Sequence, residues 1–148
     1  MTDDETTGWL EPRTGLGALS EDECWERLAA AAIGRVGVIA GREPLVLPVN
    51  FALDGERIVF RTGAGTKFHA VVHDAVLALE IDEVDESYHM GWSVLAVGQA
   101  HEVVDDDEIA RLARELPLRP WAGGDKSHWV VMTPSRVTGR SLVPGAPL

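Results

Sequence analysis

The sequence predicts a mainly β protein, a closed or nearly closed antiparallel β-barrel with short helices between its strands. Three observations lead there. Six or so apolar runs of strand length follow one another across short turn signals. The run Arg57–Thr62 alternates Ile58, Phe60 and Thr62 against Arg57, Val59 and Arg61, the period of a strand. The helical stretches are short and do not alternate with the strands as βαβ units would, so the strands read as an antiparallel meander. Closing the meander removes the unpaired edges that an open sheet exposes.

The 148 residues correspond to one domain and can bury a real core without disulfides. One cysteine, Cys24, excludes an intramolecular disulfide and a CxxC metal or redox site. The net charge of −11 argues against a nucleic-acid backbone or an anionic membrane as partner, while leaving room for a small anion in a local positive pocket. No signal peptide and no apolar run of spanning length is visible, so a cytoplasmic protein is expected.

Residues 1–18 mix Thr, Gly, Pro and acids without periodicity and are expected to form a flexible tail, with 19–148 as the folded domain. Ser20 and Glu23 make an S-x-x-E capping box, with Leu19 and Cys24 at the staple positions. Trp25, Leu28, Ala31 and Ala32 continue the helix stripe, and Gly34 is the expected stop. Cys24 on this face reads as a small buried hydrophobe. Strands are expected over 36–40, over 45–53 and over 57–62, the last two joined by an Asp54-Gly55 turn. Pro48 interrupts the second of these and marks an edge, a bulge or the approach of another group. Thr66 caps a short helix over 67–73. Strands follow over 75–82 and 93–104, then a helix capped by Asp105 with Glu108 and ended by Pro117. A loop over 118–125, a last strand over 129–133 and a C-terminal extension complete the chain.

The stretch richest in chemistry is 57–74, RIVFRTGAGTKFHAVVHD. A strand ends in Arg61-Thr62, a Gly-rich turn follows, and a helix opens with Thr66 and Lys67. Backbone N–H groups at such a turn attract an anion, glycines allow close approach, and two hydroxyls and two cations surround the point. This is a candidate phosphate cradle, though not a Walker A loop, whose spacing is absent. No Lys or Arg occurs between Lys67 and Arg111, so Arg61 and Lys67 are local cations in an acidic chain.

The ordered blocks LVLPVNFAL, IVFRTGAGTKF, VLALEID, GWSVLAVGQAHEV and RPWAGG with VVMTPSRVTGR resemble the pyridoxamine 5′-phosphate oxidase-like family of FMN-binding split β-barrels. The resemblance implies an FMN-binding oxidoreductase working as a homodimer. It implies a flavin ring against Pro48, Val49 and Asn50, a ribityl phosphate held by Arg61, Thr62, Thr66 and Lys67, and a cofactor contact at Trp92 and Ser93. Trp92, Trp121 and Arg140 are candidates for the dimer interface or the substrate pocket. The chain departs from true pyridoxamine phosphate oxidases in two respects. It ends VTGRSLVPGAPL, without their Arg-, Trp- and His-rich substrate grip, and its Gly-rich loop is one residue shorter. Oxidation of vitamin B6 is therefore not expected. The flavin would carry the redox chemistry, so no catalytic side chain is singled out.

Two other cofactors fit the same pattern. The deazaflavin F420 also carries a phosphate, but its polyglutamate tail favours more cations than follow Lys67. Haem, in a non-catalytic carrier or sensor, would take His69 or His73 as axial ligand. These two histidines stand at i,i+4 but lack the HExxH glutamate and an evident third ligand, so no metal site is expected. The acids from Glu80 to Glu86 lack calcium-loop order and read as a solvated strand end.

Overall fold

A computed structural model of the chain describes residues 16–119 and 126–142. The expected tail lies outside them up to residue 15, as do the end of the 118–125 loop with Trp121 and the last six residues, while residues 16–18, expected in the tail, form a strand paired to residues 140–142. The elements in chain order are β1 (Leu16–Ala18), α1 (Glu21–Ala30), β2 (Ile33–Ala40), β3 (Glu43–Asp54), β4 (Arg57–Thr62), α2 (Lys67–Val72), β5 (Val76–Asp85), β6 (Met90–Val103), α3 (Asp106–Glu115) and β7 (His128–Leu142).

The strands form one antiparallel sheet in the order β1-β7-β4-β3-β2-β5-β6, and a further β6–β7 pairing closes it. Six strands therefore make a barrel, with β1 added beside the end of β7. The expected barrel is what forms. Its interior holds Val36, Phe51, Ile58, Phe60, Leu79, Val94, Val130 and Met132, all buried. A second cluster lies outside the wall, where Val59, Val103, Trp129 and Val131 meet Leu112 of α3. β4 is buried on both faces for this reason: Ile58 and Phe60 point inward while Val59 points to α3. Arg111 of α3 ties this helix to the β3–β4 turn by two bonds to Asp54, and with Arg57 it holds the Asp54 carboxyl down at about 2.

The local signals act as expected. Ser20 Oγ accepts from the Glu23 N–H at 3.1 Å, and Glu23 returns an acceptor to the Ser20 N–H at 3.0 Å. Thr66 Oγ1 and Asp105 Oδ2 each accept a backbone N–H of the turn that follows. Cys24 is fully buried against Gly139, where an added Cβ would lie 2.7 Å from its sulfur.

Two expectations are corrected. Gly34 does not stop α1. The helix ends at Ala31, whose extended φ of −86° needs no glycine, and the chain passes straight into β2. Gly34 instead lies close against β5, where a Cβ would sit 3.2 Å from the Glu80 carbonyl oxygen and 3.3 Å from the Leu79 side chain, a contact tighter than ordinary. The stretch after 133 is also no extension. β7 runs on to Leu142, paired to β6 along its length across a register shift at Val97/Gly98. Pro134 and half-exposed polar residues hide it, because what holds this part of the strand is its backbone pairing with β6 rather than an alternating apolar face. Pro48 lies inside a continuous β3, opposite Arg35. Pairing to β4 begins only at Phe51, so Pro48 occupies an edge position, where a strand tolerates proline.

Candidate functional site

The Gly-rich turn leaves the end of β4 and enters α2, which lies across the barrel mouth with Phe68 stacked 6.2 Å from Phe60. Strand alternation sends Arg61 and Thr62 to opposite faces of β4. Thr62, only 3% exposed, points to the interior side, and its Oγ1 meets His69 Nδ1 at 2.8 Å. Thr66 joins this group: its hydroxyl donates to the Gly63 carbonyl at 3.3 Å and accepts from the His69 N–H at 2.9 Å. Arg61 lies on the outer side with its guanidinium 4.9 Å from the centre of the Trp129 ring, and its Nε is buried with no hydrogen-bond partner among the described residues. Lys67 reaches across to β3, where its Nζ is 3.0 Å from Glu43 Oε1 in an exposed pair. The structure thus brings Thr62 and Thr66 together on His69, and directs the two cations elsewhere around the same turn.

The remaining expected residues divide between two faces. Register places Pro48 and Asn50 with Arg35 and Ile33, and Ser93 with Asp82, on the outer face of the sheet. Val49 and Trp92 pack toward the interior. Trp92 borders a cleft of about 480 Å³ between α1 and the ends of β2 and β5, lined also by Arg27, Ile33, Ile81 and Asp82. The Arg27 guanidinium lies 4.4 Å from the centre of its ring. The outer face around Pro48 is apolar and open, with Ile39, Val46 and Val76 each more than half exposed. Near its centre Arg35 contacts Glu80 and Asp82 at 3.2 Å each. Burial and the neighbouring Asp82 push the Glu80 carboxyl up to about 7.

Three residues enter the site that sequence spacing did not single out as a set. His128 stands opposite Thr62, and Glu102 lies on the neighbouring β6 opposite Val130, two residues from His128 on the same face. His128 Nδ1 lies 2.8 Å from Glu102 Oε2, which holds the Glu102 carboxyl below its usual range. The His128 ring sits 4.3 Å from that of His69. The sequence offered His69 as the i,i+4 partner of His73 and as a candidate haem ligand; His73 Nδ1 instead donates to the His69 carbonyl at 2.9 Å.

Residues 20–141 match the family model described as pyridoxamine 5′-phosphate oxidase. The chain belongs to the pyridoxamine 5′-phosphate oxidase-like family. The FAD binding protein from Mycobacterium smegmatis is 32% identical, with a TM-score of 0.71 over 84% of this chain and 97% of its own. A Corynebacterium glutamicum protein bearing the family's name is 35% identical, with a TM-score of 0.75 over 88% of this chain and 96% of its own. The uncharacterized protein Rv0080 of Mycobacterium tuberculosis is 33% identical over 84% of each chain. Among the described residues no helix is long and apolar enough to cross a membrane.

Proposed function

We propose that this protein is a flavin-dependent oxidoreductase that binds FMN and works as a homodimer on a small substrate. The observation that carries the reading is the likeness, in sequence and in fold, to the FAD binding protein from M. smegmatis. FAD and FMN share the isoalloxazine ring, the ribityl chain and its phosphate, and the proposal concerns that shared part. The chain fits such a group in one specific respect. Among the described residues, Arg61 keeps a buried, unspent Nε beside the Gly-rich turn, and Lys67 is held there only by an exposed ion pair. Both can turn to a phosphate without breaking a buried bond. A bound flavin would supply two-electron redox chemistry.

In this reading Arg61 and Lys67 neutralise the phosphate, and the hydroxyls of Thr62 and Thr66 order the turn. Pro48, Val49 and Asn50 offer backbone to the ring edge, and Trp92 and Ser93 complete the site from β6. Pro48, Asn50 and Ser93 stand on the open outer face, which a second copy of the chain would cover together with Ile39, Val46 and Val76. The F420 alternative would call for a longer basic track, and no cation follows Lys67 until Arg111.

The test is the absorption spectrum of the purified protein, followed by titration with FMN, FAD and riboflavin and by its mass in solution. Flavin bands, tighter binding of FMN than of riboflavin and a dimeric mass are the expected results. A haem Soret band, or a colourless protein that binds none of the three flavins, overturns the cofactor assignment. A monomer that binds FMN fully overturns the dimer.

A further inference from the structure

We propose that His69, Glu102 and His128 form a binding site for a divalent metal ion of the zinc type at the mouth of the barrel. The three side chains come from α2, β6 and β7, and one ligand atom from each lies within 4.8 Å of the other two. Zinc binds histidine nitrogen and carboxylate oxygen at about 2.0–2.2 Å, which separates tetrahedral ligand atoms by about 3.4 Å. Small side-chain rotations close the present set to that size. All three residues are half-buried, so their orientations are set by packing while solvent keeps a path of entry.

The hydrogen bonds around the cluster are those a metal site needs. Buried Thr62 occupies His69 Nδ1 and leaves Nε2 as the nitrogen that would take the ion. A fixed partner on one imidazole nitrogen is how metal-binding histidines are held in orientation. An ion would displace the proton between His128 Nδ1 and Glu102 Oε2, which binding releases to solvent. The two imidazole rings stand 4.3 Å apart, close enough for one ion to lie between the histidines and Glu102. Two nitrogens and one carboxylate suit zinc or a neighbouring first-row ion better than calcium or magnesium, which prefer all-oxygen shells. Three protein ligands also leave one coordination position open, the pattern of sites that hold a water or a further ligand.

The proposal does not rest on the flavin reading, although Thr62 belongs to both. It is tested on the tag-free full chain, stripped of flavin and metal, by titrating Zn²⁺ against a chromophoric chelator. One tight equivalent is expected. Even outer partners of metal ligands are worth roughly 10–100-fold in affinity, so His69→Gln, Glu102→Gln and His128→Gln should each weaken Zn²⁺ at least tenfold. His101→Gln, an exposed histidine on the same strand as Glu102, should leave it unchanged. The Co²⁺ form of the unaltered chain gives a second readout that needs no variant, a visible spectrum of nitrogen and oxygen ligands without a thiolate band. No tight equivalent, several weak ones, or an affinity indifferent to His69→Gln and His128→Gln overturns the site. Because FMN is titrated separately, failure here leaves the flavin reading standing, and the converse holds too.

Discussion

Replacing Lys67 with alanine should weaken FMN binding and leave riboflavin binding nearly unchanged, since riboflavin lacks the phosphate. The magnitude follows from what Lys67 does now. Among the described residues its ammonium is paired only with Glu43 at 3.0 Å, with both side chains about 60% exposed. Such a pair is worth about 0–1 kcal/mol. A charged hydrogen bond to phosphate is worth about 1.5–3 kcal/mol. Releasing Lys67 from Glu43 subtracts from that gain, leaving about 0.5–3 kcal/mol, or about 2- to 160-fold in affinity. The same reasoning gives the opposite sign for Glu43→Gln, which frees the ammonium in advance and should tighten FMN by up to about fivefold. Flavin fluorescence titration of both variants at low salt, with FMN and riboflavin in parallel, measures these ratios. An equal loss for both ligands in Lys67→Ala, or no loss for FMN, refutes the assignment of this turn to the phosphate.

Three further outcomes are expected. Gly98→Ala drives a Cβ to 2.1 Å from the Thr133 carbonyl oxygen and 2.7 Å from Pro134 Cα, backbone that cannot yield without opening β6 from β7. It should cost at least the ~3 kcal/mol upper end of overpacking and lower Tm by roughly 6–12 °C. Gly37→Ala meets nothing nearer than 3.9 Å and serves as the control; similar Tm values for the two would contradict the register. Glu80 is raised from 4.5 to about 7 in the folded chain, so the folded state holds a proton that the unfolded state has lost. Its contribution is full below pH 4.5 and is lost as pH rises through 7, so Tm should fall over that interval and Glu80→Gln should flatten the fall. A steeper fall in the variant would reverse the argument. Finally, Cys24 is fully buried and its thiol is pushed up by that burial, so a thiol reagent at pH 8 should label it only as fast as the chain unfolds. Immediate labelling of the native protein would contradict the packing of α1 against Gly139 of β7.

The parts of this fold that were legible in the sequence are those whose causes lie within a few residues. Ser20 with Glu23, Thr66 before His69 and Asp105 before Glu108 cap their helices through contacts three residues long. Arg57–Thr62 is a strand with the predicted bounds because its alternation is complete within six residues. The Gly-rich turn could be recognised as unusual for the same reason, and the ordered blocks around it carried the family resemblance that the match over residues 20–141 bears out.

What the tertiary structure decided depends on barrel closure. Gly34 resembled a helix stop until β5 was laid against β2 and brought the Glu80 carbonyl within 3.2 Å of where a Cβ would sit. β7 could not be read past Pro134, because what holds it is pairing with β6 across a register shift rather than an apolar pattern of its own. Arg61 and Thr62, adjacent in the chain, went to opposite faces, one to Trp129 and the other to His69. Closure likewise set His128 beside Glu102 across 26 residues and brought both under His69. Local sequence determines which segments become strands and caps, since those energies are settled within a turn or a pleat. Which side chains meet at the barrel mouth is determined by strand register, and register is a property of all six closing strands together.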